Sequence, residues 1–329
     1  MKDRMVLEDV ARALGVSKTT VSRAISGTGR VSRETRERVL AYVAETGFIP
    51  NASASNLSRS RTKNLAYSMP LSEKAVVSSY FLECLFGVCQ AATAEGYNVI
   101  VVDDSVEELC HIAGSQKVDG LVLSSFTHGD RAMEKIVSYR LPVVLTGSSN
   151  VPGVKIMSYD ARSGFRKLTS YLMDAWQINL GLILTEERFP ANQSRAEGFC
   201  DAMTARGVKK PRICWEATDN ERMIEAMTTL YREGIHGVIC GDDSICSDLL
   251  YALEMFRGGR DEEKRDMAEV MRLASFHSNR LLQLFHPEIP TVVMQPAKLG
   301  EYAARLAIRE IEEGNTPAST MLEYELHLP

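Results

Sequence analysis

Residues 9–27 read DVARALGVSKTTVSRAISG. Two short apolar-periodic segments flank Gly15, and the second carries Ser17, Lys18, Thr19, Thr20, Ser22 and Arg23 in close succession. Leu7, Val10, Ala11 and Leu14 follow i, i+3, i+4, i+7, the spacing of one apolar helix face. Gly15 ends that helix, Ser17 is suited to cap the next, and Val21, Ala24 and Ile25 form its inward stripe. After Gly27-Thr28-Gly29, Ser32 caps a third helix with Glu34 in its first turn, and Gly47 stands where a C-cap glycine would. Three short helices with so tight a second turn make a helix-turn-helix unit. The second helix has little to bury in a core, and its small hydroxylated and basic side chains suit contact with another surface.

Charge points the same way. The 329-residue chain has a net charge of −5, yet residues 1–63 carry +6 and the remainder −11. A basic head on an acidic body suggests that the head meets a polyanion. The length allows roughly two ordinary domains, and 45 % hydrophobic with 25 % charged residues is a globular balance. No apolar run approaches the roughly 20 residues of a membrane span. The N-terminus MKDRMVLEDV mixes acids and bases where a secretory signal needs an apolar stretch. A cytoplasmic location is expected, with no membrane partner. The seven cysteines are odd in number and form no C-x-x-C pair, so neither a zinc site nor a disulfide framework is expected.

From Asn64 onward short apolar strands alternate with amphipathic helices. LAYSM, YNVIVVD, VDGLVLSS and LPVVLTG come first, with helices near 80–94, 106–116 and 130–139; NLGLILT, RICWEA, GVICGDD and RLASF follow, with helices near 192–206, 220–233 and 244–257. Near-continuous apolar strands between helices indicate parallel sheets covered on both faces, enough for two doubly wound sheets. The charged run GGRDEEKRD at 258–266 reads as a solvated loop. Between head and body lies PNASASNLSRSRTKN, where Pro50 blocks continuation of the third helix and Asn51 is able to cap a new one. On composition alone this stretch is equally a flexible linker or a single marginal helical turn.

The elements D-V-A, G-V-S, T-V-S-R, V-S-x-x-T-R and P-N occur here in order, in LEDVARALGVSKTTVSRAISGTGRVSRETRERV and GFIPN. This stretch resembles the N-terminal signature of the lactose/galactose repressor (LacI/GalR) family, and SRAEGF (194–199), CGDD (240–243) and VVMQP (292–296) extend the likeness through the body. The resemblance implies a small all-α helix-turn-helix domain over 1–50 and a hinge helix or linker over 51–63. An α/β ligand-binding core of two doubly wound parallel-sheet subdomains, periplasmic-binding-protein-like, follows over 64–329. Its N-subdomain is placed at about 64–158 and 292–319, its C-subdomain at about 159–291 and 320–329. The implied function is a sequence-specific DNA-binding regulator, a homodimer on double-stranded operator DNA, switched by a small carbohydrate-like effector. No cofactor, metal or catalytic activity is expected.

Lys18, Thr19 and Arg23 lie where the family reads bases; Arg and Lys donate to guanine O6 and N7, and Thr hydrogen-bonds or touches a thymine methyl. Ser17, Thr20 and Ser22 suit phosphate contact or capping. In the linker the resemblance assigns DNA contacts to Asn51, Leu57 and Arg59, with Leu57 wedged into the minor groove. Two positions depart from the family pattern: Ser55 stands where Arg is frequent, and Val6 replaces the usual N-cap Thr of the first helix, at a cost of about 1 kcal/mol. The chain reaches Pro329 after the strand-like MLEYELHL without a Leu-heptad tail, so a dimer is expected and not a tetramer.

By position, the effector candidates are Tyr80, Phe81, Ser124, Arg195, Asp242 and His277. Arg195 looks like the arginine that grips effectors in this family. Sugar-binding members usually carry Asn-Asp after one strand and Gly-[Phe/Tyr]-Asp-Asp after another; here stand Asp242-Asp243 and Ser275-Phe276-His277-Ser278. His277 thus replaces a carboxylate, while Asp242 replaces an amide. His277 is then expected either to pair with Asp242 across the cleft, to pack in its wall, or, when protonated, to share an anionic sugar with Arg195. The competing class is a small-molecule receptor or enzyme on the same sheets. A periplasmic receptor has no use for the basic head, and the chain shows none of the signatures G-x-x-x-x-G-K-[ST], H-E-x-x-H or G-x-S-x-G.

Overall fold

The N-terminal helices form where their caps lie. In the computed structural model, which describes residues 5–27, 29–48, 61–71, 79–187, 189–277, 280–314 and 316–329, these are α1 (Leu7–Leu14), α2 (Lys18–Ser26) and α3 (Arg33–Thr46). Ser17 Oγ accepts the Thr20 N–H at 3.0 Å and Ser32 Oγ accepts the Thr35 N–H at 3.2 Å. Val6 makes no side-chain cap, but its own N–H is taken up by the Asp9 carboxylate at 2.9 Å, which recovers half of a capping box. Gly47, at φ 64°, closes α3 in the left-handed conformation that glycine adopts without penalty. Val10, Ala11, Val21, Ala24, Val39 and Phe48 make the core of this unit. It spans Met1–Thr62, and Lys63–Pro329 forms a second compact unit.

The second unit holds two six-stranded sheets. The first is built from β1 (Asn64–Met69), β2 (Asn98–Asp103), β3 (Gly120–Leu123), β4 (Val143–Thr146), β5 (Val154–Tyr159) and β11 (Ser319–Leu322), in the order β11-β5-β4-β3-β1-β2 and parallel throughout. The second takes β6 (Leu180–Ile183), β7 (Arg212–Cys214), β8 (Gly237–Cys240), β9 (Arg272–Phe276), β10 (Thr291–Val293) and β12 (Glu325–His327), in the order β12-β10-β9-β8-β6-β7, with β12 antiparallel to β10. The strand order reverses beside β1 and beside β6. In open parallel sheets such switch points place ligands at the carboxyl ends of the strands.

Helices cover both sheets: α4 (Ser79–Ala94), α5 (Val106–Gly114), α6 (Asp130–Val137) and α13 (Pro296–Glu313) the first, and α7 (Ala161–Trp176), α8 (Pro190–Ala205), α9 (Asn220–Arg232), α10 (Asp243–Arg257), α11 (Glu262–Val270) and α12 (Arg280–Phe285) the second. α4 and α13 approach so closely that a Cβ on Gly87 runs into the Ala297 carbonyl and one on Gly300 into the Cys84 carbonyl. Among the described residues no helix is long and apolar enough to cross a membrane.

Two expectations are corrected. The run at 258–266 is not simply a loop: Asp261 Oδ1 accepts the Lys264 N–H at 3.2 Å and starts α11, whose Met267 and Ala268 are buried in the same core cluster as Leu249 and Leu253 of α10. The subdomain divisions at 292 and 320 also move. All of β10 pairs in the second sheet and all of β11 in the first, so the chain crosses at 160, at 294–295 and at 323–324. These crossings are tied together: Tyr159 Oη donates to the Gln295 carbonyl at 2.7 Å and accepts the Gln295 N–H at 2.9 Å, while Gln295 Nε2 donates to Glu325 Oε1 at 3.1 Å.

Candidate functional site

α2 buries Val21 and Ala24, which leaves Lys18, Thr19, Ser22 and Arg23 exposed, one to each side of two successive turns on a single face. Ser17 and Thr20 are spent on the helix start, with Thr20 Oγ1 2.8 Å from Ser17 Oγ. Lys18 Nζ sits 2.6 Å from Glu8 Oε2, an ion pair with both partners about half exposed. No carboxylate lies within 4 Å of Arg23 among the described residues; its stem lies against Gly29, which has no side chain to obstruct it. This face is a row of hydrogen-bond donors with apolar support behind it. Asn51, Leu57 and Arg59 lie outside the described residues.

The second candidate lies at the carboxyl ends of the strands. Tyr80, at the start of α4, faces the His277 ring edge-on with centroids 6.3 Å apart, and its hydroxyl is 3.4 Å from Thr146 Oγ1 at the end of β4. Burial pushes the Tyr80 hydroxyl far above its ordinary pKa, so it remains a neutral donor. Arg195, on α8, donates from Nη1 to Asn192 Oδ1 at 2.9 Å, and its guanidinium carbon lies 4.9 Å from the Phe276 ring centroid. Burial pulls the Arg195 pKa down, with Asp242 foremost among the groups opposing that fall. Asp242 caps α10, its Oδ1 accepting the Ile245 N–H at 2.9 Å.

His277 is 3 % exposed, and neither ring nitrogen has a hydrogen-bond partner among the described residues. The expected pairing of His277 with Asp242 is therefore absent, because Asp242 turns toward the α10 backbone. Burial holds the imidazole below its ordinary pKa, so the protonated His277 envisaged from the sequence is neutral here at pH 7.

The structure thus brings Tyr80, Arg195, Asp242 and His277 together. Ser124 stands apart in kind: its hydroxyl donates to the Ser68 carbonyl at 2.6 Å and its carbonyl accepts from Thr146 Oγ1 at 2.7 Å, so it fastens strand ends. Phe81 packs edge-to-face on Tyr80, with centroids 5.3 Å apart, and against the core of the first subdomain.

Sequence reasoning missed Ser68, Ser79, Asn192 and Phe276. Ser68 and Ser79 each hold a buried hydroxyl without a partner among the described residues. The signal for Ser68 was its place at the end of LAYSM, the strand beside the switch point. Asn192 is 3 % exposed, and its amide donates to Thr185 Oγ1 at 2.8 Å and to the Glu186 carbonyl at 3.0 Å. It thereby aims Arg195. Among the described residues, five of the seven buried side-chain polar atoms without a partner belong to Ser68, Ser79, Arg195 and His277. Buried polar atoms are ordinarily satisfied, and their concentration at strand ends and helix starts marks a place built to receive hydrogen bonds from outside the chain.

Comparison with known proteins covers both parts of the chain. Residues 6–51 match the bacterial regulatory proteins of the lacI family, and residues 73–325 match the periplasmic binding proteins and sugar binding domain of the LacI family. The HTH-type transcriptional regulator RegA of Clostridium saccharobutylicum is 26 % identical over 97 % of each chain. Among solved structures, the transcriptional regulator CelR–cellobiose complex aligns with a TM-score of 0.70 at 25 % identity, covering 98 % of each chain. The lac repressor dimer bound to operator and the anti-inducer ONPF shares the fold, with a TM-score of 0.79 at 18 % identity over 99 % of this chain and 98 % of that one.

Proposed function

This chain belongs to the LacI family of bacterial regulatory proteins, and from that premise we propose that it acts in the cytoplasm as a homodimer whose hold on a pseudo-palindromic operator is set by a carbohydrate effector in the cleft. It is a DNA-binding transcriptional regulator, as its relatives are. The observation that carries the effector reading is the gathering of unpartnered buried donors and acceptors on Ser68, Ser79, Arg195 and His277. Hydroxyls of a sugar answer such groups, and an arginine fork suits two of them at once. Cellobiose in the related CelR structure supports the carbohydrate class.

Lys18, Thr19 and Arg23 are proposed to read bases, with Ser17, Thr20 and Ser22 near phosphates. In the linker, Asn51, Leu57 and Arg59 are proposed to engage the minor groove. One helix-turn-helix reads only a few base pairs, so useful specificity needs two half-sites. The dimer is supported by exposed Tyr251 and Met255 on α10 and Leu281, Leu284 and Phe285 on α12, the last 71 % exposed. Large apolar side chains left exposed on helices are characteristic of interaction surfaces.

The test is a footprint and gel shift on the chain's own promoter region, with a carbohydrate panel added. A two-fold-symmetric footprint that a carbohydrate strengthens or releases is expected. A single asymmetric site, or a footprint indifferent to every carbohydrate, overturns the corresponding half of the proposal.

A further inference from the structure

We propose that the effector is an anionic carbohydrate, a sugar acid or a sugar phosphate, whose charged group is held between Arg195 and His277. The inference rests on the cleft being the effector site.

The argument begins with what the two side chains lack. Arg195 is a half-buried cation whose Nε is fully buried; among the described residues that Nε has no partner and no carboxylate lies within 4 Å of the guanidinium. A buried guanidinium is costly unless an anion answers it. His277, which follows the Phe276 ring that the guanidinium covers and feels the Arg195 charge, adds two more nitrogens without a partner among the described residues. Guanidinium donates only, and imidazole always offers at least one N–H; a carboxylate or phosphate accepts only. Sugar hydroxyls can accept from these donors, but only a carboxylate or phosphate accepts from both and also answers the guanidinium's charge.

The groups facing His277 set the proton balance. Glu83 from α4 and Asp242 from the α10 cap favour the imidazolium; burial, the largest influence, and Arg195 from α8 oppose it. Tyr80 presents a neutral ring. Free His277 is therefore neutral at pH 7, with its pKa below the ordinary 6.5. An anion seated beside it reverses the balance and raises that pKa. Binding then takes up a proton in the window between the free and bound values. Affinity rises as pH falls through the bound-state pKa and levels off below the free one.

His277 also holds a backbone φ of 64°, a left-handed conformation in which Asn, Asp and His are the tolerated side-chain-bearing residues. His277→Asn and His277→Asp are thus compatible with the backbone and change only the chemistry at the site.

The experiment is titration calorimetry of the intact chain between pH 5.5 and 8, in buffers of differing ionisation enthalpy. The probes are aldonates, uronates and 6-phosphates of glucose, galactose and mannose, with the parent sugars as neutral controls. The expected result is at least tenfold tighter binding of one acid or phosphate than of its parent sugar, with proton uptake that disappears in His277→Asn. The arms decide between carboxylate and phosphate. His277→Asp should reverse the preference toward a neutral sugar. Tight binding of a parent sugar without proton uptake, undiminished in His277→Asn, overturns this inference and leaves the carbohydrate reading intact. If no probe of either charge binds while the operator footprint is sound, the carbohydrate reading falls and takes this one with it.

Discussion

Lys18 is paired with Glu8 before any DNA arrives, both side chains about half exposed. Such surface pairs are worth about 0–1 kcal/mol, so exchanging Glu8 for a guanine edge costs little. Arg23 has no carboxylate within 4 Å to leave among the described residues. Lys18→Ala and Arg23→Ala should each relax base preference at one position per half-site by about 1–3 kcal/mol, as read in a binding selection. Unchanged specificity in both variants removes α2 from the major groove. These residues were legible in the sequence because helix-turn-helix spacing is local: Ser17, Lys18, Thr19, Thr20, Ser22 and Arg23 occupy adjacent positions, and Val21 and Ala24 orient them. Of the residues that were missed, Ser68 had a signal in its place at the end of LAYSM, whereas Ser79 and Asn192 acquire meaning only when the ends of separate strands and helices meet.

At the scale of the element, caps decided more than charge did. The run at 258–266 is polar enough to pass for a loop, yet Asp261 has the N-cap role and Glu262 and Glu263 stand in the first turn, where the helix dipole favours them. What holds α11 is the burial of Met267 and Ala268 beyond the charged run. Asp261→Ala should cost about 1 kcal/mol, measured as a shift in the denaturant midpoint of the second unit. The crossings show a similar limit. Apolar runs located β10 and β11 near their true positions, but a strand's sheet is chosen by its pairing partners, and Thr291↔Ser275 and Ser319↔Ile156 are pairings between distant stretches of chain. Tyr159 closes two of the crossings with two hydrogen bonds from one hydroxyl. Burial pushes that hydroxyl up to about pKa 12, so it stays protonated at any working pH. Tyr159→Phe should lose about 1 kcal/mol of stability by thermal denaturation, since it leaves the half-buried Gln295 N–H without its acceptor. An unchanged transition would mean that water replaces the phenol without cost.

At the scale of the molecule, a head of +6 and a body of −11 assign the two ends different partners. Leu57, in the sequence between them, is proposed to enter the minor groove. Leu57→Ala should remove much of the operator bend in a circular-permutation gel assay while effector binding and melting behaviour persist, because an apolar wedge acts only on unstacked DNA. Unaltered bending and affinity would return 51–57 to the status of plain linker. The sequence by itself determined the helix-turn-helix, the alternation that makes two parallel sheets, and the candidacy of Tyr80, Arg195, Asp242 and His277, since periodicity, caps and motif spacing are written along the chain. Only the tertiary structure decided that Asp242 serves the α10 backbone and not His277, that Ser124 ties strands, and that Arg195 and His277 keep unpartnered nitrogens. The reason is physical: a hydrogen bond depends on distance and direction between atoms, and burial depends on everything packed around them. Neither quantity exists until strands far apart in the sequence end at the same place.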